Sequence, residues 1–213
     1  MNQTRTMFLE NCRVVAAAVS DERVAAAWDQ PSVLDSQSVG AVAAHVARGC
    51  WVACDYLDDG TPDGPITFTS AADYFAKLLA AATPELHEGI RQRGAEGAAD
   101  GPKVPGATLG EKLDELAERL QVEPEDRLLY VYGGNVMSLD HYLETRLLEQ
   151  VVHLDDLARS IEIEPWPNAA GADELVISIG VEISRIRFGE GATIRALFRG
   201  IDQASPLAKG VTA

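Results

Sequence analysis

Residues 144–159 read ETRLLEQVVHLDDLAR, and the reading of this stretch decides the fold. Its apolar spacing starts upstream: Leu139, Leu143, Leu147 and Val151 recur every four residues. That is the stripe of an amphipathic helix, here over residues 138–160. On such a helix Glu149 and His153 lie four residues apart. Four residues rotate the chain by ~400°, so the two side chains stack on one face. A carboxylate and an imidazole so placed can grip one divalent cation. Arg146 and Asp156 fall three residues before Glu149 and three after His153, near the same face. From there they can orient the carboxylate and the ring. The same spacing also suits a solvent-facing ion pair that holds no metal.

The chain around this helix is punctuated by Gly and Pro. Phe8, Leu9, Val15 and Val19 predict a first helix over residues 4–19, followed by a short helical turn at 21–28. Ser38 is a plausible N-cap for a helix to residue 57, and the turn-rich DDGTPDGPITFT of 58–69 is a loop. Ser70 with Asp73 opens a helix that the pattern extends to residue 93, and residues 94–106 read as a Gly-, Ala- and Pro-rich connection. Thr108 with Glu111 matches a capping box for a helix to residue 120. Residues 124–135 are irregular or briefly extended; Gly133 and Gly134 read as a plain turn, with an approach loop as the alternative, and Tyr130 and Tyr132 read as strand-like core residues, with the lining of a pocket above a metal as the alternative. Pro165 and Pro167 break the chain. Residues 173–188 alternate like a strand but also space like a helix, and their length and the lack of a partner strand favour helix. A short helix over 192–199, ended by Gly200, and a surface tail complete the chain. The expected fold is therefore all-α: a helix bundle over residues 1–165 with accessory C-terminal helices over 166–213 packed on it.

Composition narrows the function classes. At 213 residues, with 46% hydrophobic and 24% charged residues, the chain can bury a core without disulfide or metal staples. Its net charge of −15 repels phosphate backbones and anionic lipid, so neither nucleic acid nor membrane is an expected partner. Five basic residues against two acids after residue 184 leave a basic end piece, either lying back on the acidic bundle or solvated. Cys12, Cys50 and Cys54 form no disulfide framework, and the last two read as small buried hydrophobes. The opening MNQTRTMFLENC has no signal-peptide pattern, and apolar runs such as residues 14–19 fall far short of the ~20 residues of a membrane span, so the expected location is the cytoplasm.

A helix that carries two ligands needs a third from a facing helix. His45, in AVAAHVAR, sits mid-helix among small apolar residues where a polar ring is out of place. It is either that third ligand or a satisfied core histidine. The remaining histidines, His87 and His141, read as surface residues.

Two segments together resemble a family. Residues 28–49, WDQPSVLDSQSVGAVAAHVARG, resemble the second-helix signature of mycothiol-dependent maleylpyruvate isomerase-like proteins, members of the DinB/YfiT-like metal-binding four-helix bundles. TRLLEQVVHLDDLAR resembles their fourth-helix signature, about a hundred residues on and in the family's order. The resemblance covers residues 5–160. It implies a DinB-like four-helix bundle and a divalent metal, zinc in the family's best-understood members, held by His45, Glu149 and His153. It further implies a small thiol, mycothiol, as cofactor. The metal would activate that thiol toward a small electrophilic substrate, in an isomerase or thiol transferase that is a monomer or homodimer. The isomerases continue into a C-terminal α/β domain that supplies a catalytic arginine. Only residues 154–213 follow the signature helix here, and Arg185, Arg187, Arg195 and Arg199 match no motif, so maleylpyruvate isomerisation itself is not carried over. The alternative is a bundle whose metal is structural or serves ligand binding without catalysis. A structural site would be closed by a fourth protein ligand, and the sequence offers no obvious one.

Overall fold

The computed structural model describes residues 1–81 and 83–199, apart from the side chains of residues 79, 86 and 87. The surface placement expected for His87 and the tail expected from Gly200 onward lie outside the described residues. Four helices make the bundle: α1 (Gln3–Val19), α3 (Val39–Asp58), α6 (Lys103–Val122) and α7 (Leu139–Ser160), with the short α2 (Glu22–Ala26) at the turn between the first two. α1 and α3 each pack on both α6 and α7, and on one another. α5 (Pro84–Ala98) lies along α3, and α4 (Ala71–Ala80) sits against α7 and α8 (Ala172–Phe188). α9 (Glu190–Arg199) packs on α8. Between α6 and α7 runs a two-stranded antiparallel hairpin, β1 (Leu128–Val131) and β2 (Asn135–Ser138), with Leu129 opposite Met137. The chain is an all-α bundle of the DinB-like kind.

Local chemistry explains the helix starts. The side chains of Asn2, Ser38, Ser70 and Ser138 accept hydrogen bonds from the backbone N–H of Arg5, Ala41, Asp73 and His141, relieving helix donors that have no intrahelical partner. The core is built from leucine faces. Leu109, Leu116 and Leu120 of α6 and Leu139, Leu143 and Leu147 of α7 are fully buried, as is Phe8 of α1. In α8 the buried residues Ile179 and Ile183 are one turn apart while Ile177 is 67% exposed, so the helical reading of this segment holds over the alternating one. Arg5 ties three parts of the bundle together. Its Nε donates to Asp140 at 2.7 Å, and its two Nη groups donate to the carbonyls of Leu120, Glu123 and Pro124.

Four expectations need correction. The helix expected from Ser70 to residue 93 is two helices, because α4 ends at Ala80 and Pro84 opens α5, where its missing N–H is not needed. The glycine-rich stretch expected as a connection is largely helical, since α5 runs on to Ala98 and α6 begins at Lys103. Here glycine serves close packing. A Cβ on Gly94 would stand 3.1 Å from the Ala41 carbonyl oxygen, and one on Gly97 would stand 3.2 Å from the Ala44 Cβ. Thr108 therefore lies inside α6 and caps nothing. Finally, Tyr132 is not a core residue: it is 53% exposed at the hairpin turn, where Gly133 and Gly134 adopt positive φ.

Candidate metal centre

The two signature helices face each other, and their polar residues meet where α3 crosses α7. His45 Nε2 lies 3.3 Å from Glu149 Oε2, and His153 Nε2 lies 3.3 Å from the same oxygen. The two imidazole rings stand edge to face, with centroids 5.0 Å apart. One ligand atom from each of the three residues lies within 4.8 Å of the other two. Ligands at ~2.0–2.1 Å around a tetrahedral Zn²⁺ are separated by about 3.3–3.4 Å, so the donor set and its spacing fit a divalent cation. Among the described residues no other His, Cys, Asp or Glu joins the group.

The fourth side of the triad is open. A cavity of about 350 Å³, bounded by α3, α4, α5, α6 and α7, has both His45 and Glu149 in its wall. His153 is sealed behind them at 3% exposure. Its Nδ1 lies 3.0 Å from Asp156 Oδ2, which leaves Nε2 directed at Glu149. This is how a carboxylate fixes the tautomer and orientation of a ligating histidine. Arg146 makes no hydrogen bond to Glu149. Its Nε donates to Thr145 Oγ1 at 3.1 Å, its guanidinium lies 5.2 Å from the centre of the Tyr142 ring, and it lines the cavity. His141, expected at the surface, is partly exposed and paired with Glu144 at 3.0 Å. Cys12, Cys50 and Cys54 are free and buried, which for Cys50 and Cys54 accords with their reading as small hydrophobes, and burial pushes the Cys54 thiol up to about 11.

Electrostatics lock the triad in the absence of metal. Burial disfavours charge on Glu149, but hydrogen bonds from His153 and His45, together with the Arg146 charge, hold its carboxyl well below the usual range. Burial likewise disfavours charge on His153, yet Asp156 and Glu149 outweigh it and raise the imidazole to about 9. A raised histidine contributes stability that is fully present below its ordinary pKa of 6.5 and is lost as pH climbs through 9. The Glu149 contribution is present above 4.5 and lost in acid. Metal-free protein should therefore be most stable between about 4.5 and 6.5 as far as this pair is concerned, and should weaken toward pH 9. Urea midpoints at pH 6 and pH 9.5 with chelator present check this. His153→Gln should flatten the alkaline loss, and an unchanged slope in that variant would assign the loss elsewhere.

Several wall residues escape a search for ligands alone. Tyr142, Arg146, Glu149 and His153 follow one another at helical spacing on α7, as His45, Gly49, Val52 and Tyr56 do on α3. Extending each ligand stripe by two turns would have found them. Tyr74 on α4 and Arg93 on α5 have no such signal, because they reach the cavity only through tertiary packing; Tyr132, for which a pocket lining is the alternative reading, is in the wall, while Tyr130 is not among its residues.

Fold and triad together define a DinB-like helical bundle in which facing helices bring two histidines and a glutamate together beside a small cavity, with His45 and Glu149 in its wall and His153 behind them. The chain belongs to the family described as the mycothiol maleylpyruvate isomerase N-terminal domain, whose model matches residues 8–158. No curated protein and no solved structure gives a significant match. Among the described residues, no helix is long and apolar enough to cross a membrane.

Proposed function

We propose that His45, Glu149 and His153 bind a divalent cation, zinc by the chemistry of the donor set, and that the protein is a thiol-dependent isomerase or transferase using mycothiol or a similar small thiol. The observation that carries this reading is the open triad: three convergent ligand atoms with one side facing a cavity of about 350 Å³. A cation held by three protein ligands would supply a position at which a bound thiol loses its proton and becomes nucleophilic. The residues do the rest. Asp156 holds His153 in the tautomer that presents Nε2, and Glu149 and His45 form the floor of the cavity. The apolar wall of Phe75, Leu78 and Val52 limits water around the reacting groups. Family membership supports a thiol and a small-molecule substrate.

Metal analysis of the purified protein is the first test, followed by a titration of the cobalt(II)-loaded protein with mycothiol. A thiolate charge-transfer band should grow in. A spectrum indifferent to thiol would overturn thiol activation and leave a non-catalytic metal- or ligand-binding bundle. Asp156 is proposed to support His153 without touching the metal. Asp156→Asn should weaken metal binding by roughly 10–100-fold, while His45→Ala should lose most of it. Calorimetry on the two variants separates the roles. If Asp156→Asn were as inert as His45→Ala, Asp156 would be a direct ligand, and if it matched wild type it would be a bystander.

A further inference from the structure

At the far end of the chain from α1, the amphipathic helix α9 presents its apolar face outward. It packs on α8, and the residues it turns toward that neighbour are small or polar. Thr193 is 4% exposed; its hydroxyl lies 2.9 Å from that of Ser184 and donates to the Gly189 carbonyl. Ala192 and Ala196 share that inner face and are half-buried. The large apolar side chains point away: Ile194 is 57%, Leu197 47% and Phe198 71% exposed. At positions i, i+3 and i+4 these three form one stripe. Ile186 and Phe188 are also exposed, at the end of α8 that leads into α9. A surface helix ordinarily buries its apolar stripe against its own core. A stripe left outside, with two more large apolar side chains next to it, marks a contact with another molecule.

Charge says which molecule. Residues 185–199 hold four arginines against Glu190, a net of +3 in a chain of −15. Two copies of so acidic a chain repel one another least through this basic end, which is also the end with the apolar stripe. Nucleic acid or anionic lipid would match the arginines, but either would meet the field of the acidic remainder. Phenylalanine and arginine side by side are what protein–protein contacts enrich. Charge also runs in order along α9, with Glu190 at its start and Arg195 and Arg199 in its second half. Arg195 and Arg199 make no ion pair among the described residues, and the side chain of Glu190 is 78% exposed. Parallel pairing of two such helices would set arginine against arginine. Antiparallel pairing about a two-fold axis brings the Glu190 end of each copy to the arginine end of the other and lays the two apolar stripes together.

We propose that α9 and the adjoining end of α8 are the interface of a two-fold dimer of this chain, in which the two α9 helices run antiparallel. The interface uses no residue of the triad or the cavity wall, so it stands apart from the metal reading.

Sedimentation equilibrium and light scattering on the full-length protein test it. The mass should rise with concentration from that of one chain to that of two, because a contact built on so few side chains is small and dissociates on dilution. Phe198→Glu should raise the dimer Kd at least ~100-fold, since a two-fold interface feels every substitution twice. Phe198 is exposed in the single chain, so circular dichroism of the variant should match wild type. Val122→Glu, at an 81% exposed position on α6, should leave the dimer Kd as it is. Glu190→Arg and Arg199→Glu should each weaken the dimer by roughly 3–10-fold. The double exchange should restore most of the affinity, because these residues sit at opposite ends of one helix and meet only across the axis. A protein that keeps the mass of one chain up to millimolar concentration overturns the dimer. A dimer indifferent to Phe198→Glu, or broken by Val122→Glu, overturns this interface. A double exchange that restores nothing overturns the antiparallel arrangement.

Discussion

The double variant Glu149→Ala/His153→Ala should show no metal-dependent stabilisation at all. For a ligand that binds only the folded state, stabilisation grows with the ratio of free ligand to Kd, reaching ~4 kcal/mol at a thousand-fold excess. In a chain of 213 residues each kcal/mol moves the melting temperature by roughly 2–4 °C. Wild-type protein should then melt roughly 8–16 °C higher with saturating zinc than with chelator. In the double variant that difference should vanish, because His45 alone offers one donor. The informative quantity is the increment on adding metal, since removing Glu149 also unties His45 and His153 in the metal-free protein. A double variant that still gains several degrees with stoichiometric zinc would place the metal elsewhere.

Arg5→Met should be the most damaging change remote from the cavity. The Arg5 side chain is 3% exposed and its ion partner Asp140 is 21% exposed. Met replaces the apolar stem but not the guanidinium. The change leaves Asp140 with Asn2 as its remaining donor and takes the guanidinium donors from the carbonyls of Leu120, Glu123 and Pro124, of which Pro124 keeps the backbone N–H of Arg127. Breaking one side of a buried pair costs about 3–5 kcal/mol. The melting temperature should fall by roughly 10 °C, with metal affinity at low temperature unchanged. A loss under about 1 kcal/mol would mean that water replaces the arginine at these carbonyls.

The two helices that carry the triad were legible in the sequence because each packs a single face. A 3.6-residue period plus one out-of-place polar residue is a pattern that burial imposes. His45 among alanines and valines, and Glu149 one turn from His153, are such residues, and the structure brings all three together. The serine caps were readable for a similar reason, since a cap is chemistry within four residues. The middle of the chain was not. Gly94 and Gly97 look like breakers until Ala41 and Ala44 are seen pressed against them, and that contact joins α3 to α5 across about fifty residues of sequence. Tyr74 and Arg93 entered the cavity wall only by tertiary placement.

The assembly of the triad from helices far apart in the chain has a consequence for how the protein matures. His45 is synthesised early, and Glu149 follows 104 positions later. A nascent chain carries a lone imidazole for about half the time of its synthesis. The later pair alone, on an isolated helix, is a two-donor clasp from which competing ligands would readily strip a cation. Only closure of α7 onto α3 converts these fragments into a chelate. Any cation that the triad holds is thus acquired after translation has passed residue 153, as a late certificate of a finished bundle.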